Sequence, residues 1–267
     1  MRRPNWLGWT STVLLLFLYA PLVIAVLYAF NSSRRLTWPP TGFSLVWFRE
    51  IFADDLFRRS LTTSFIAALL TATVAGAIGT AAAIVITRRR SRLARTAEGL
   101  GLLPVMLPPL FIAIGLVAGM KVSNITPGLP MIVLGHTLVA IPFVIIIVVA
   151  RLRGFDLELE YAARDLGAGP HQVLRRITLP IVAPAILGAM LLAFAVSFDE
   201  VLITNFTSGT RQTVPIYIFG RLRRFIDPGA NAVATILLLV PWVALAIGVI
   251  FLRRSGTRAP TLGARQV

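Results

Sequence analysis

The chain has 267 residues, 57% of them hydrophobic, and carries 26 Lys and Arg against 11 Asp and Glu, a formal net charge of +15. A mean hydropathy of +0.81 excludes a soluble globular domain and indicates a polytopic membrane protein organised as one domain, residues 1–267. The positive balance then belongs to loops flanking membrane spans, not to a nucleic-acid surface. The absence of cysteine excludes disulfides and thiolate metal sites, and two histidines offer little for an imidazole metal centre.

Six apolar stretches reach the ~20 residues needed to cross a bilayer. They lie near 11–30, 61–86, 100–120, 130–150, 180–203 and 231–252. The expected fold is therefore an all-α membrane protein with six transmembrane helices. Arg2 and Arg3 before the first stretch also fit a signal peptide, but its length and the lack of a small-residue cleavage site before Asn31 favour an uncleaved span. The second stretch is crowded with small residues, among them Ala68, Ala72, Ala75, Gly76 and Gly79, which suits close helix packing. Pro104, Pro108 and Pro109 fall in the third stretch, Pro142 in the fourth and Pro241 in the sixth. Each removes a backbone donor; they read chiefly as helix shaping, with a broken helix lining a path as the alternative. With both termini inside, the inner segments hold 16 Lys and Arg and the outer loops 10, and the block Arg88-Arg89-Arg90-Ser91-Arg92 with the tail pair Arg253-Arg254 decides that bias.

Between the fourth and fifth stretches lies a polar interval with helical pattern, 151–180. Asp156 can cap a helix with Glu158 and Glu160 in its early turns. Leu159, Ala162, Ala163 and Leu166 form one apolar stripe, and Glu160 with Arg164 form an i, i+4 pair on the polar face. Gly167 and Gly169 end that helix. Pro170 opens a second short one carrying Val173, Leu174 and Ile177. The stripe requires a cover, supplied by a partner, the membrane domain itself or the lipid interface.

The string Ala162-Ala163, Gly167, Ile177 and Leu179-Pro180 resembles the EAA loop of ABC importer permeases, with the spacing kept throughout. The family's Glu, directly before the two alanines, is replaced by Tyr161, and Glu160 precedes it. Further segments are similar to the polyamine (spermidine/putrescine) branch, its PotC-type permeases. They are Tyr19-Ala20-Pro21, Ala29 to Ser33, Trp47-Phe48, Gly135-His136-Thr137, Phe194 to Glu200 and Asn231 to Thr235. The resemblance implies a type I importer permease fold with a core over 56–255, a first span wrapping a paired permease, and 151–180 as a cytoplasmic coupling hairpin. It makes Glu160, Tyr161, Ala162, Ala163, Gly167, Ile177, Leu179 and Pro180 the contact to an ATPase. It implies a heterodimer with the related permease, two ATPase subunits, an extracytoplasmic binding protein and a bacterial inner-membrane location. The chain has no G-x-x-x-x-G-K-[ST], so ATP and Mg would be held by the ATPase and no cofactor by this chain.

Asp199 and Glu200 are expected near the outer end of the fifth span. Carboxylates at membrane depth are costly and suggest a substrate path for a small cation. Arg211 and Arg221 are alternative partners for them. Phe194 and Phe198 offer cation–π faces, although such residues are more often packing, and Asn231 either caps the sixth span or faces the path. His136 is expected to make an interhelical hydrogen bond. The outer loops are basic, with Arg34, Arg35, Arg211 and Arg223 suited to an acidic face of a binding protein. An intramembrane protease lacks support, since there is no G-x-S-x-G and no second intramembrane Asp to partner Asp199. A membrane scaffold would leave the stripe and the proline-broken spans unexplained.

Overall fold

The computed structural model describes residues 6–35, 37–88, 91–223 and 228–254, and the secondary structure there is almost wholly helical. Helix α1 is Trp6–Ala29, α2 is Val46–Ala53 and α3 is Asp55–Arg88. At 34 residues, α3 is about 51 Å long, more than a bilayer core requires. Its buried face is made of Ser60, Ser64, Ala67, Ala68, Thr71, Ala72, Ala75, Gly76 and Gly79. These small residues let neighbours approach until a Cβ on Gly79 would stand 2.7 Å from the Val144 Cβ.

The third expected span is not one helix. Helices α4 (Arg92–Met106) and α5 (Pro109–Val122) meet at 107°. Leu107 and Pro108, each followed by a proline, are held extended at ψ 133° and 136°. The successive prolines thus break the span instead of shaping it. Helix α6, Leu129–Arg153, is straight enough to span and places Pro142 in its buried face.

Helix α7, Glu158–Asp165, is followed by α8, Pro170–Val173, a π-helical turn at Leu174–Thr178, and α9, Leu179–Phe198. The last three form one continuous helix of 29 residues, Pro170–Phe198. The separate second short helix expected from the sequence is therefore the base of the fifth span. The wide π turn gives Pro180 room where an α-helical carbonyl would clash. At its other end α9 stops at Phe198, short of the expected 203. Helices α10 (Leu202–Thr207) and α11 (Val214–Leu222) then fold back into the bundle. The Gly128 amide donates to the Thr207 carbonyl at 2.9 Å, and the Val214 amide to Ser64 Oγ at 2.8 Å. Helix α12, Pro228–Arg254, closes the chain.

The main core joins α3, α6 and α9 through Ala68, Ala75, Ala140, Val144, Val148, Val182 and Ala189. A second cluster joins Ala29, Trp47, Ile51, Phe57, Val214, Tyr217 and Val233. There Asn31 organises the loop after α1. Its Nδ2 donates to the Ser33 and Arg35 carbonyls, its Oδ1 accepts from the Thr41 amide, and its own carbonyl accepts from Trp47 Nε1. Helix α1 ends and α12 begins in this cluster, so both run from it toward the opposite end of the bundle, where the α7 hairpin projects.

Candidate functional site

At the hairpin end, Asp156 Oδ1 accepts from the Glu158 amide at 3.0 Å. The far end of α7 closes with a Schellman pair: Ala168 N–H to the Ala163 carbonyl, and Gly167 N–H to that of Arg164. Gly167 takes φ +86° there, in the region that favours glycine. The Gly169 amide is taken by Gln172 Oε1 at 3.2 Å, with Pro170 in the first turn beyond it.

The apolar stripe does not fold back on the bundle. Leu159, Tyr161 and Ala162 are exposed, Leu166 is 90% exposed and Ala163 is half-buried. Glu160 does the reverse of what its sequence position suggested. It is 5% exposed, not on a polar face. Its Oε1 accepts from Arg88 Nη2 at 2.6 Å and from Thr178 Oγ1 at 2.7 Å, with Arg164 at 3.9 Å. Tyr161 thus points outward and Glu160 anchors inward. Ile177 and Leu179 are half-buried and Pro180 exposed along the base of the fifth span.

At the opposite end, the fifth-span residues divide. Phe198 is 1% exposed and stacks on Phe194 at 5.8 Å, so it is a packing residue and offers no open face to a path. Asp199 is the exposed C-terminal cap of α9. Glu200 lies beyond the helix, and its Oε1 accepts from the Ile203 amide at 2.9 Å, capping α10. Neither carboxylate therefore lies within the fifth span, because the helix has ended at Phe198. Neither makes an ion pair among the described residues. Arg221 instead reaches Glu50 at 3.4 Å. Asn231 is half-buried inside α12, three residues past its start, and is not its cap.

A cavity of about 950 Å³ opens at this end, lined by Arg34, Glu50, Asp54, Tyr217, Arg221 and Arg223 among others, but by none of Phe198, Asp199, Glu200 and Asn231. The Tyr217 hydroxyl donates to Asp54 Oδ2 at 2.7 Å, and Arg221 Nη1 to Tyr217 at 3.3 Å. Burial works against the Asp54 charge, but Tyr217, the Leu56 and Phe57 amides and Arg221 outweigh it and hold the carboxyl below 3.8. Sequence reading missed this group. An acid before a helix and a Tyr–Arg i, i+4 pair were visible, but nothing local joins residues 163 positions apart.

Between the two ends sits His136, 1% exposed. Its Nδ1 lies 2.7 Å from Ser197 Oγ and its Nε2 2.8 Å from Thr204 Oγ1, the interhelical bond the sequence suggested. Thr204 already donates to the Glu200 carbonyl. The consistent assignment has Nε2–H donating to Thr204 and Ser197 donating to Nδ1. A neutral imidazole is then satisfied on both sides, locking α6 to α9 and α10.

A bundle of apolar spans with a broken third segment, a projecting hairpin and an open vestibule at the far end has the architecture of a membrane transport subunit. Residues 75–258 match the family described as binding-protein-dependent transport system inner membrane component, and the chain belongs to it. It is 32% identical to the spermidine/putrescine transport system permease protein PotC of Haemophilus influenzae over 90% of this chain and 93% of the relative. It is 36% identical to the putrescine transport system permease protein PotI of Escherichia coli K12 over 86% and 85%. Among solved structures, a bacterial alginate ABC transporter in complex with a pentasaccharide-bound periplasmic protein gives a TM-score of 0.72 at 18% identity, covering 95% of this chain and 96% of the other. The inward-facing methionine transporter MetNI gives 0.63 at 17%, covering 75% and 98%. The fold is that of a type I ABC importer permease. The chain is a multi-pass permease subunit, a transport protein and not an enzyme.

Proposed function

We propose that this subunit forms half of the translocation path for putrescine, spermidine or a similar small cation. The observation that carries this reading is the 36% identity to a putrescine permease over 86% of the chain. The subunit would pair with a second, related permease, bind two copies of a soluble ATPase that uses ATP and Mg, and receive cargo from an extracytoplasmic binding protein. The whole chain acts as one domain, with the transport core at 56–255 and α1, which packs on α12 and is otherwise exposed, turned to lipid and the partner permease. The hairpin and both termini would face the cytoplasm of a bacterium across its inner membrane. Three observations support that orientation: the basic bias, the exposed stripe at the hairpin, and the direction in which α1 and α12 run.

The coupling contact is the corner formed by exposed Tyr161, Ala162 and Gly167 with half-buried Ala163. Displacement there passes along Pro170–Phe198, about 44 Å of unbroken helix, to Ser197, His136 and the break at Asp199. Asp199, exposed at that break, and Asn231 are the path residues retained; Glu200 supports them by capping α10. The vestibule is not a cation trap, because Arg221 reaches Glu50 and Tyr217 binds Asp54. Arg34 and Arg223 on its wall suit an acidic face of the binding protein, which delivers the cation past them. The test is ATP-dependent uptake by the reconstituted complex of radiolabelled putrescine and spermidine against amino acids and thiosulfate. Uptake of an amino acid or anion in preference to both amines would overturn the assignment of cargo. Charge reversal at Arg34, Arg35, Arg211 and Arg223 that left binding-protein association and its salt dependence unchanged would overturn the docking role.

A further inference from the structure

One carboxylate oxygen joins three elements at the hairpin end. Arg88, which donates to Glu160 Oε1, is the last residue of α3, where the helix dipole favours a cation. Glu160 lies in the first turn of α7, and Thr178, the second donor, closes the π turn at the base of the fifth span. The acceptor and its neutral donor are buried, with Thr178 3% exposed, while the Arg88 side chain is half-buried and its guanidinium lies 5.3 Å from the ring of buried Phe155. Charge-assisted bonds of this length in such surroundings hold their partners to one arrangement.

The position of the group gives it a mechanical consequence. Apart from it, α7 packs chiefly on its own second arm, α8 and the π turn. Movement of the corner therefore reaches α9 through continuous helix, whereas α3 receives it only through side-chain packing on α9. Arg88 and Glu160 are 72 residues apart in the chain, and α3 forms the largest interfaces with both α6 and α9. We propose that Arg88 and Thr178 are positioning residues for ATP-coupled transport. Acting through Glu160, they tie the hairpin to α3, so that displacement of the docking corner moves α3 and α9 as one body. In this chain the outward contact at Tyr161 and the inward anchor at Glu160 are adjacent residues facing opposite ways. The proposal rests on the reading of the chain as an ATP-driven importer subunit.

The test uses the complete importer in proteoliposomes, with ATP hydrolysis and radiolabelled putrescine import measured on the same sample. Arg88→Gln is expected to assemble with the ATPase and hydrolyse ATP while the ATP consumed per putrescine imported rises about 5-fold or more. Thr178→Val moves the ratio in the same direction. The charge-swapped pair Arg88→Glu with Glu160→Arg returns the ratio toward wild type. An Arg88→Gln complex with the wild-type ratio overturns the proposal. So does a swapped pair that assembles normally but stays uncoupled, and so does loss of assembly in both, which would make the group purely structural. Absence of putrescine import by the wild-type complex is a different result, and it counts against the cargo and not against this link.

Discussion

Replacing Gly167 separates the docking role of the hairpin corner from its folding role. Gly167 has φ +86°, and a Cβ built there meets nothing within 4 Å. Any cost of a side chain is therefore conformational, with no clash to relieve. For alanine it is about 1–2 kcal/mol. Asparagine and aspartate tolerate the left-handed region better, but aspartate adds a negative charge at the C-terminal end of α7, worth about 0.3–1 kcal/mol against it. Gly167→Ala and Gly167→Asp thus fall close together in stability while presenting opposite surfaces to a partner, and Gly167→Asn is the mildest of the three. All three are expected to insert and accumulate like the wild type. In proteoliposomes carrying the full importer, putrescine uptake should stay within about 3-fold of wild type for Asn and Ala, corresponding to less than 1 kcal/mol. It should fall at least about 10-fold for Asp, with ATP hydrolysis no longer stimulated by loaded binding protein. Equal uptake by the Ala and Asp variants would refute the argument, because strain alone would then explain both.

His136→Ala removes two interhelical bonds of about 0.6 kcal/mol each and leaves a cavity, so denaturant unfolding should register a loss of about 2–4 kcal/mol. His136→Gln, which keeps one donor and one acceptor, should lose less than half as much, and equal losses would discard the hydrogen bonds to Ser197 and Thr204 as the source of the stability. Asp199→Asn is expected to reduce putrescine uptake about 10-fold, a loss of about 1.4 kcal/mol. Glu200→Gln should stay within about 3-fold, because the Gln carbonyl can still accept the Ile203 amide; the opposite ranking would transfer the path role to Glu200. Gly79→Val forces α3 from α6 at Val144 and should destabilise by about 1–3 kcal/mol, whereas Gly115→Ala, with open space around its Cβ, should be neutral by the same assay. The Asp54 carboxyl is held below 3.8 in the folded chain, so its contribution is full above that pH and lost as pH falls through the lowered native value. The Tm difference between wild type and Asp54→Asn should therefore vanish on acidification, and a difference that grows instead would contradict the network around Tyr217.

What the sequence determined by itself is what depends on local physics. The fourth and sixth spans were legible because some twenty consecutive apolar residues have few other stable states. The hairpin was legible because a left-handed glycine and a first-turn proline mark a corner in any context. The transport family was suggested by the resemblance of one segment, Ala162 to Pro180, to the EAA loop, together with shorter similar segments elsewhere. Local signals became ambiguous at the third span, where prolines kink a helix or break it according to what packs around them. The fifth span was also misjudged, because apolar residues past Asp199 extended a hydropathy run that the backbone does not follow. The directions of Glu160 and Phe198 were decided only by the tertiary structure. An i, i+4 partner, Arg164, suggested a polar face for Glu160, but its stronger partners, Arg88 and Thr178, are 72 and 18 residues away. A buried carboxylate goes where the most donors can reach it, and only the folded bundle brings those donors together.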